Sequence, residues 1–456
     1  MRLGVDIGTT SIKCCLYIDE DNILYSKRVH NATLETAEGT HEQSVSKILS
    51  AVKEALSELT LIKYPAHTGE SCNVLPVTHV SSCCQMHGVV LWSSDDVSNL
   101  ITWQDARCDE EFLLWLRCQT VTEDLHNGYG SASLAWLQKY TPEVMSKYTH
   151  FGSISDYFVW LLCGMSGSDM SVMSDHNAES FGFFLSKSCG MEVVTDCWDT
   201  SAFEHVGISE NRLPTIVPAG EQIGLVSDSG FNIALGAQVY APIGDLQASV
   251  CAVLRGKAGK VFNYGTACQL IVTSDAELEP GPSSLRTSES ELDPCPPSLR
   301  TTLYTKEHNL ILAASLNGGN AMEVVHDFIK SFNSGNISYE EMMRVGVEGR
   351  DTTLRVDVKF NGERHAPKSL GTISNVSSTN FNFPNLVAAT FRGIVCNVNE
   401  MMPKEYLDKV EDFYAVGIND RELLKCYVAE YFGEVKYVDE VTAAYGAVLF
   451  DIMANK

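Results

Sequence analysis

Close to the start of the chain, Leu3, Val5 and Ile7 form a short apolar run that ends at Gly8-Thr9-Thr10, and an apolar alternation resumes at Ile12, Cys14 and Leu16. Alternation on both sides of a glycine turn predicts a β-hairpin. Gly8 lets the backbone come close to an anion, and the N–H and hydroxyl groups of Thr9 and Thr10 can donate to phosphate oxygens. Asp6, just short of the turn, can hold Mg²⁺ or its waters. A single turn of this kind is equally well an ordinary tight hairpin. Its recurrence is the stronger constraint: Asn263-Tyr264-Gly265-Thr266-Ala267-Cys268, running on to Val272, repeats the design about halfway along the chain. Two Gly-Thr hairpins, one opening each half, predict a duplicated α/β architecture closing on one nucleotide.

A chain of 456 residues has length for two or three domains and an ample core. Its net charge of −25 arises from 58 acidic against 33 basic residues, with no Lys/Arg run. That balance argues against nucleic acid or an anionic membrane as the main partner. A small anionic ligand stays compatible with it, because backbone amides and a bound cation supply a local field. The 15 cysteines include the adjacent pairs Cys14-Cys15 and Cys83-Cys84 and show no C-x₂-C spacing. An odd count without a leader segment reads as buried, reduced thiols in a cytoplasmic chain rather than as a disulfide framework or zinc site. The most apolar run, Tyr157 to Cys163, is too short to span a bilayer.

Taken in order, helical spacing runs from about Glu42 through Val45, Ile48, Val52, Leu56 and Leu59. Leu75 to Val80 reads as a strand that leads into Ser81 to Gly88, carrying Gln85, Met86 and His87. Polar groups at the C-terminal end of a strand are where open α/β sheets place ligands; a packed turn is the plainer reading of Met86 and His87. Ile101 to Arg107 again ends in hydrogen-bonding side chains. Trp103 beside Gln104, Asp105 and Arg107 suits a sugar, whose C–H face stacks and whose hydroxyls need donors and acceptors. The alternative is a surface salt bridge between Asp105 and Arg107. Trp136 and Trp160, on two helical stretches, read as core, and Ser174 to Ala178 as a helix cap or loop. Leu213-Pro214 and Gly220 to Gly224 read as a connector.

In Gly244-Asp245-Leu246-Gln247-Ala248-Ser249 the glycine permits a sharp turn and the residues from Ala248 predict a helix. Asp245 then sits at a helix N-terminus, either as a plain cap or facing a hydroxyl to be deprotonated. Ser274 to Thr302, rich in Ser, Pro and Glu, reads as an exposed loop with a near-repeat of Pro-Ser-Leu-Arg-Thr type. Gly318-Gly319-Asn320 opens a helix at Ala321 and either takes phosphate or makes a turn. Further helices are expected at Leu386–Met401, Arg421–Phe432 and Val441–Met453, with a strand from Tyr414 to Val416 that ends at Gly417.

Six motifs now stand together: D-I-G-T-T from Asp6, Q-M-H-G from Gln85, W-Q-D-A-R from Trp103, G-D-L-Q-A-S from Gly244, S-L-N-G-G-N from Ser315 and G-E-R-H from Gly362. In these the chain resembles the FGGY carbohydrate kinases over nearly its whole length. The resemblance implies an α/β fold of two actin/hexokinase-like (ribonuclease H-like) ATPase domains around a central cleft, here 1–245 and 246–456, and ATP-dependent phosphorylation of a ketose. It implies that Asp245 takes the proton from the sugar hydroxyl and that Asp6 is associated with Mg²⁺. It gives Gly8, Thr9, Thr10, Lys13, Gly265 and Thr266 to the phosphates and Gly318, Gly319, Asn320 and Gly417 to the nucleotide side. Gln85, Met86, His87, Trp103, Asp105 and Arg107, with Asp245, fall to the sugar. Phosphoryl transfer needs chiefly positioning and charge neutralisation, which such a set provides. Two departures stand out: only Gly417 remains of an extended Gly/Ser-rich turn that contacts adenosine in the family, and Ala267 replaces a common hydroxyl residue. Reduced contacts to adenine and to one phosphate oxygen are therefore expected.

Overall fold

The alternation around Gly8 folds into an antiparallel meander of β1 (Arg2–Ile7), β2 (Ser11–Asp19) and β3 (Asn22–Val29), with Val5 opposite Cys14 and Cys14 opposite Ser26. The computed structural model describes residues 1–62, 74–122, 125–166, 170–186, 196–275, 298–332, 337–363, 365–366, 368–418, 421–438 and 442–455. They divide into two units, one of Met1–Gly256 with Val441–Lys456 and the other of Lys257–Pro282 with Glu291–Glu440. The division expected after Asp245 thus falls later, and the last stretch of chain belongs to unit 1.

In unit 1, β4 (Glu42–Gln43) precedes α1 (Val45–Leu61), and β5 (His79–Cys84) and β6 (Leu100–Ile101) follow. The helix starts later than its periodicity suggests, because Glu42 and Gln43 pair with β6 and the Ser44 hydroxyl caps the Lys47 N–H. Val45, Ile48, Val52, Leu56 and Leu59 are buried against Leu3, Val5 and Ile12 of the sheet. β5 begins at His79 rather than Leu75, in register with Arg2, and runs parallel to β1 with Cys83 level with Asp6. Leu75 makes only a single bridge, to Ile233.

The aromatic helices are α2 (Gly130–Tyr140) and α3 (Ile154–Leu162), the latter opened by a capping box between Ser153 and Asp156. Trp160 is core, whereas Trp136 is half-buried with the Arg107 guanidinium 5.6 Å from its ring centre. Ser174 caps α4 (Asp175–Phe181), accepting from the Asn177 N–H. The expected connector contains β7 (Gln222–Leu225), antiparallel to β8 (Gln238–Tyr240); β9 (Ile243–Gly244) then leads into α5 (Asp245–Leu254). The sheet order is β7-β8-β5-β1-β2-β3, with β9 parallel to the end of β5.

Unit 2 repeats this wiring. β10 (Lys260–Tyr264), β11 (Cys268–Asp275), β12 (Leu299–Leu303) and β13 (His308–Ser315) are antiparallel neighbours, and β14 (Phe413–Val416) and β15 (Lys436–Val438) add in parallel, in the order β12-β13-β11-β10-β14-β15. The stretch read as a loop from Ser274 to Thr302 has strands at both ends; its residues 276–297, with most of the near-repeat, lie outside the described residues. α6 (Gly319–Phe332), α7 (Phe383–Met401) and α8 (Glu422–Phe432) accompany this sheet. α7 supplies Leu386, Phe391, Ile394, Val395 and Val398 to a core shared with Phe262, Leu270 and Ala415.

The chain then returns to unit 1 as α9 (Ala443–Ala454), which packs on α5 and β1 through small residues. A Cβ on Gly446 would lie 1.7 Å from the Ala248 carbonyl oxygen, and one on Gly4 would lie 2.0 Å from that of Ala444. Among the described residues, no helix is long and apolar enough to cross a membrane.

Candidate active site

Three parallel strands end together in unit 1. Cys83 of β5 is level with both Asp6 of β1 and Ile243 of β9, so the C-terminal ends of these strands carry Gly8-Thr9-Thr10, Gln85 to Gly88 and Asp245. Asp6 is almost wholly buried, with Lys13 Nζ 3.8 Å away, and burial pushes its carboxyl up to about 6 despite that cation. Asp245 is the first residue of α5 and half-buried. Burial first, and the Asp6 charge second, push it up to about 7 against the pull of the Leu246 N–H and its own. Two carboxylates at neighbouring strand ends, both raised chiefly by burial, fit Mg²⁺, which binds through one or two carboxylates and completes its shell with water and phosphate oxygens. Among the described residues, no group of three or more His, Cys, Asp or Glu could hold an ion unaided.

Met86 packs against the turn before Asp245: a Cβ on Gly244 would lie 2.8 Å from Met86 Cε and 2.1 Å from Gln247 Oε1. His87 has φ of +73°, a costly conformation for a residue other than glycine. It is held by a 2.7 Å hydrogen bond from Nδ1 to the Ser180 carbonyl and by stacking on Tyr129, ring centres 4.6 Å apart.

A closed set of hydrogen bonds joins the hairpin to these residues. Trp103 Nε1 donates to Thr9 Oγ1 (3.1 Å), Thr9 Oγ1 to Gln85 Oε1 (3.3 Å), Gln85 Nε2 to Gln43 Oε1 (3.1 Å) and Gln43 Nε2 to the Thr9 carbonyl (2.8 Å). The Thr9 hydroxyl is thus hydrogen-bonded within the protein, to Gln85 and Trp103. The Gly8 N–H also closes its own turn, on Ser11 O at 3.1 Å. The backbone N–H groups of Thr9 and of exposed Thr10 remain, and neither has an acceptor among the described residues. The second hairpin has the same form: the Gly265 N–H bonds Ala267 O at 2.9 Å, and the N–H groups of Thr266 and Ala267 are left at the tip.

Asp105 and Arg107 also differ from expectation. Asp105 is 1% exposed, and its two oxygens accept from the His41 N–H, the Arg107 N–H, Arg107 Nε and Arg107 Nη2 at 2.7–3.0 Å. Arg107 Nη2 also reaches Glu42 at 2.8 Å. The pair is buried and holds the loop in shape, being neither a surface salt bridge nor a pair of uncommitted sugar ligands. Asp105→Asn turns an amide toward the guanidinium and is expected to destabilise unit 1 by about 2 kcal/mol, the cost of a disrupted buried charged hydrogen bond. A urea titration measures it, and an unchanged midpoint counts against the assignment. Trp103 is 37% exposed with its N–H anchored, so it keeps an open aromatic face.

In unit 2 the residues expected at the nucleotide have other work. The Gly319 N–H donates to Gly265 O (2.8 Å), the Asn320 N–H to Thr266 O (3.1 Å) and the Gly318 N–H to Asn320 Oδ1 (2.9 Å). Their donors are thus used to seat the hairpin tip. A Cβ on Gly318 would lie 2.5 Å from the Ala267 carbonyl carbon, which is why glycine stands there. Gly417, at φ +81°, turns so tightly over β10 that a Cβ would lie 2.1 Å from Tyr264 O; Arg421 Nη1 bonds its carbonyl at 2.6 Å. Asn419 and Asp420 of that shortened turn lie outside the described residues.

Sequence reasoning missed Gln43 and Tyr129. Nothing local marks Gln43, a polar residue in a two-residue strand. Tyr129 had a visible signal in Gly128-Tyr129-Gly130: Gly128 has φ +78°, and a Cβ there would lie 2.1 Å from Trp103 O.

Residues 1–251 match the N-terminal domain of the FGGY family of carbohydrate kinases. Over 490 aligned positions the chain is 30% identical to a sedoheptulokinase of Homo sapiens, covering 98% of this chain and 96% of that protein. A glycerol kinase of Chloroflexus aggregans is 23% identical over 62% of this chain and 56% of its own. Among solved structures, a xylulose kinase from Rhodospirillum rubrum superposes with a TM-score of 0.78 at 19% identity, over all of this chain and 90% of that one. A Plasmodium falciparum glycerol kinase with ADP gives 0.77 at 18%, over 99% and 89%.

Proposed function

Because the chain belongs to the FGGY family of carbohydrate kinases, we propose that it transfers the γ-phosphate of ATP to sedoheptulose, giving sedoheptulose 7-phosphate. The observation that carries the chemistry is Asp245. A carboxylate at the start of α5, with its pKa raised to about 7, is matched to take a proton from a primary hydroxyl near neutral pH. The full-length likeness to the human and mouse sedoheptulokinases supports the choice of sugar.

In this reading the open face of Trp103 stacks on the C–H surface of the ketose, and Gln85, Met86 and His87 shape the pocket beside Asp245. Asp105 and Arg107 keep that loop in place. The paired N–H groups of Thr9 and Thr10, and of Thr266 and Ala267, donate to phosphate oxygens, with Lys13 adding charge near the first pair. Mg²⁺ would be held by Asp6 with Asp245 nearby, and when bound it neutralises phosphate charge. The product would feed the non-oxidative pentose phosphate pathway in the cytoplasm.

The test is ADP release with Mg-ATP against sedoheptulose, xylulose, ribulose and glycerol. Release that depends on sedoheptulose is the expected result. Preference for another ketose overturns the substrate and leaves the family reaction. The shortened turn at Gly417 favours one second reading, a sugar-binding protein with little nucleotide turnover, whose signature is sugar binding without ADP release from any substrate.

A further inference from the structure

Glu363 stands apart from every residue used so far. It is fully buried, with a relative exposure of 0%. Among the described residues, no lysine or arginine pairs with it. Four donors of other kinds surround it instead. Its Oε1 accepts from Ser315 Oγ (2.7 Å), Asn317 Nδ2 (3.0 Å) and Asn397 Nδ2 (2.7 Å), and its Oε2 accepts from the Leu316 N–H at 3.0 Å. Hydrogen bonds to an ionised carboxylate are short and about twice as strong as neutral ones, so this cluster is a rigid point in the fold.

What it holds is the end of β13. Ser315, Leu316 and Asn317 are the residues gripped. Asn317 is fixed further by donating to Gly362 O at 2.9 Å and accepting from the Asn361 N–H at 3.0 Å. The next residues, Gly318 to Asn320, carry the tip of the second hairpin through the Gly319 N–H on Gly265 O and the Asn320 N–H on Thr266 O. From a carboxylate to the tip is thus a short, continuous path of hydrogen bonds and one turn of backbone, with no flexible side chain along it. The fourth arm, Asn397, comes from the C-terminal half of α7, a helix that supplies much of the core of the unit.

We propose that Glu363 is a positioning residue for the phosphates of the nucleotide: its carboxylate locks the turn before α6 and, through that turn, sets the direction of the Thr266 and Ala267 N–H groups. The inference rests on the reading that this tip meets phosphate. A hydrogen bond to phosphate weakens steeply as its angle departs from linear, so a small tilt of the tip costs affinity although Glu363 touches no ligand. The arrangement also accounts for two of the motifs: S-L-N-G-G-N supplies Ser315, Asn317 and the seat, and G-E-R-H supplies the carboxylate.

The experiment is calorimetric titration of the full chain with Mg-ADP and, separately, with sedoheptulose, for the wild type, Glu363→Gln and Asn397→Ser. Glu363→Gln keeps the shape and removes the charge; it is expected to weaken ADP binding about tenfold while sedoheptulose affinity stays within about twofold. Asn397→Ser removes one arm and is expected to weaken ADP about threefold in the same selective way. Equal losses for both ligands, or unchanged ADP affinity in a folded Glu363→Gln, overturn the proposal. Should Glu363→Gln fail to fold, unchanged ADP affinity in Asn397→Ser overturns it. A wild type that does not bind Mg-ADP overturns the nucleotide reading itself, and this inference with it.

Discussion

Asp245→Asn is expected to lower kcat by about 10²–10⁴, the usual contribution of a positioned general base, with the unfolding midpoint unchanged or slightly raised. Asparagine has nearly the shape of aspartate and keeps an acceptor for the N–H groups at the start of α5. It also removes the repulsion that Asp6 exerts on a half-buried carboxylate. The substitution therefore separates chemistry from folding: a loss of stability of similar size would assign Asp245 to structure. The measurement is steady-state kcat beside a thermal scan of the same preparation. Turnover near that of the wild type, in a folded variant, removes Asp245 from the role of base.

Gly446→Val is expected to destabilise unit 1 by about 3 kcal/mol, or roughly 6–12 °C in unfolding midpoint for a unit of this size. The cause is steric. A Cβ on Gly446 would stand 1.7 Å from the Ala248 carbonyl oxygen and 3.1 Å from the Ala252 backbone nitrogen, so two helix backbones must part before any side chain fits. Gly446→Ala sharpens the test. Helix propensity alone favours alanine over glycine by about 1 kcal/mol, so a net loss shows that close approach outweighs it. Because α5 begins with Asp245, displacing α9 is expected to reduce turnover as well. An unchanged midpoint for both variants would mean that α9 does not pack as described.

The parts of the structure legible in the sequence are those written over a few neighbouring residues. The two hairpins follow from alternation interrupted by Gly8 and Gly265, and the position of Asp245 at a helix start follows from Gly244. The parts that were not legible depend on distant partners. Gln43 is ordinary until Thr9 and Gln85 close around it, and Asp105 is a plausible ligand until His41 and Arg107 occupy its oxygens. Gly318 to Asn320 have the composition of an anion site at a helix N-terminus. Their N–H groups turn inward only because the second hairpin lies against them, which composition does not report. The membership of α9 in unit 1 was hidden for a similar reason: its partner α5 lies almost two hundred residues earlier in the chain.

That distance has a consequence for synthesis. The helix that completes the first-made half emerges after the whole of the second half, a delay on the order of ten seconds or more at usual elongation rates. Until then the face formed by Cys15 and Ala252, which Ala444 and Tyr445 will cover, has no lid. A chain cut short before α9 leaves Asp245 at the start of an unsupported helix. The support of α5 is thus deferred in time as well as distant in sequence: the start of this helix is held in place by a segment made almost two hundred residues later.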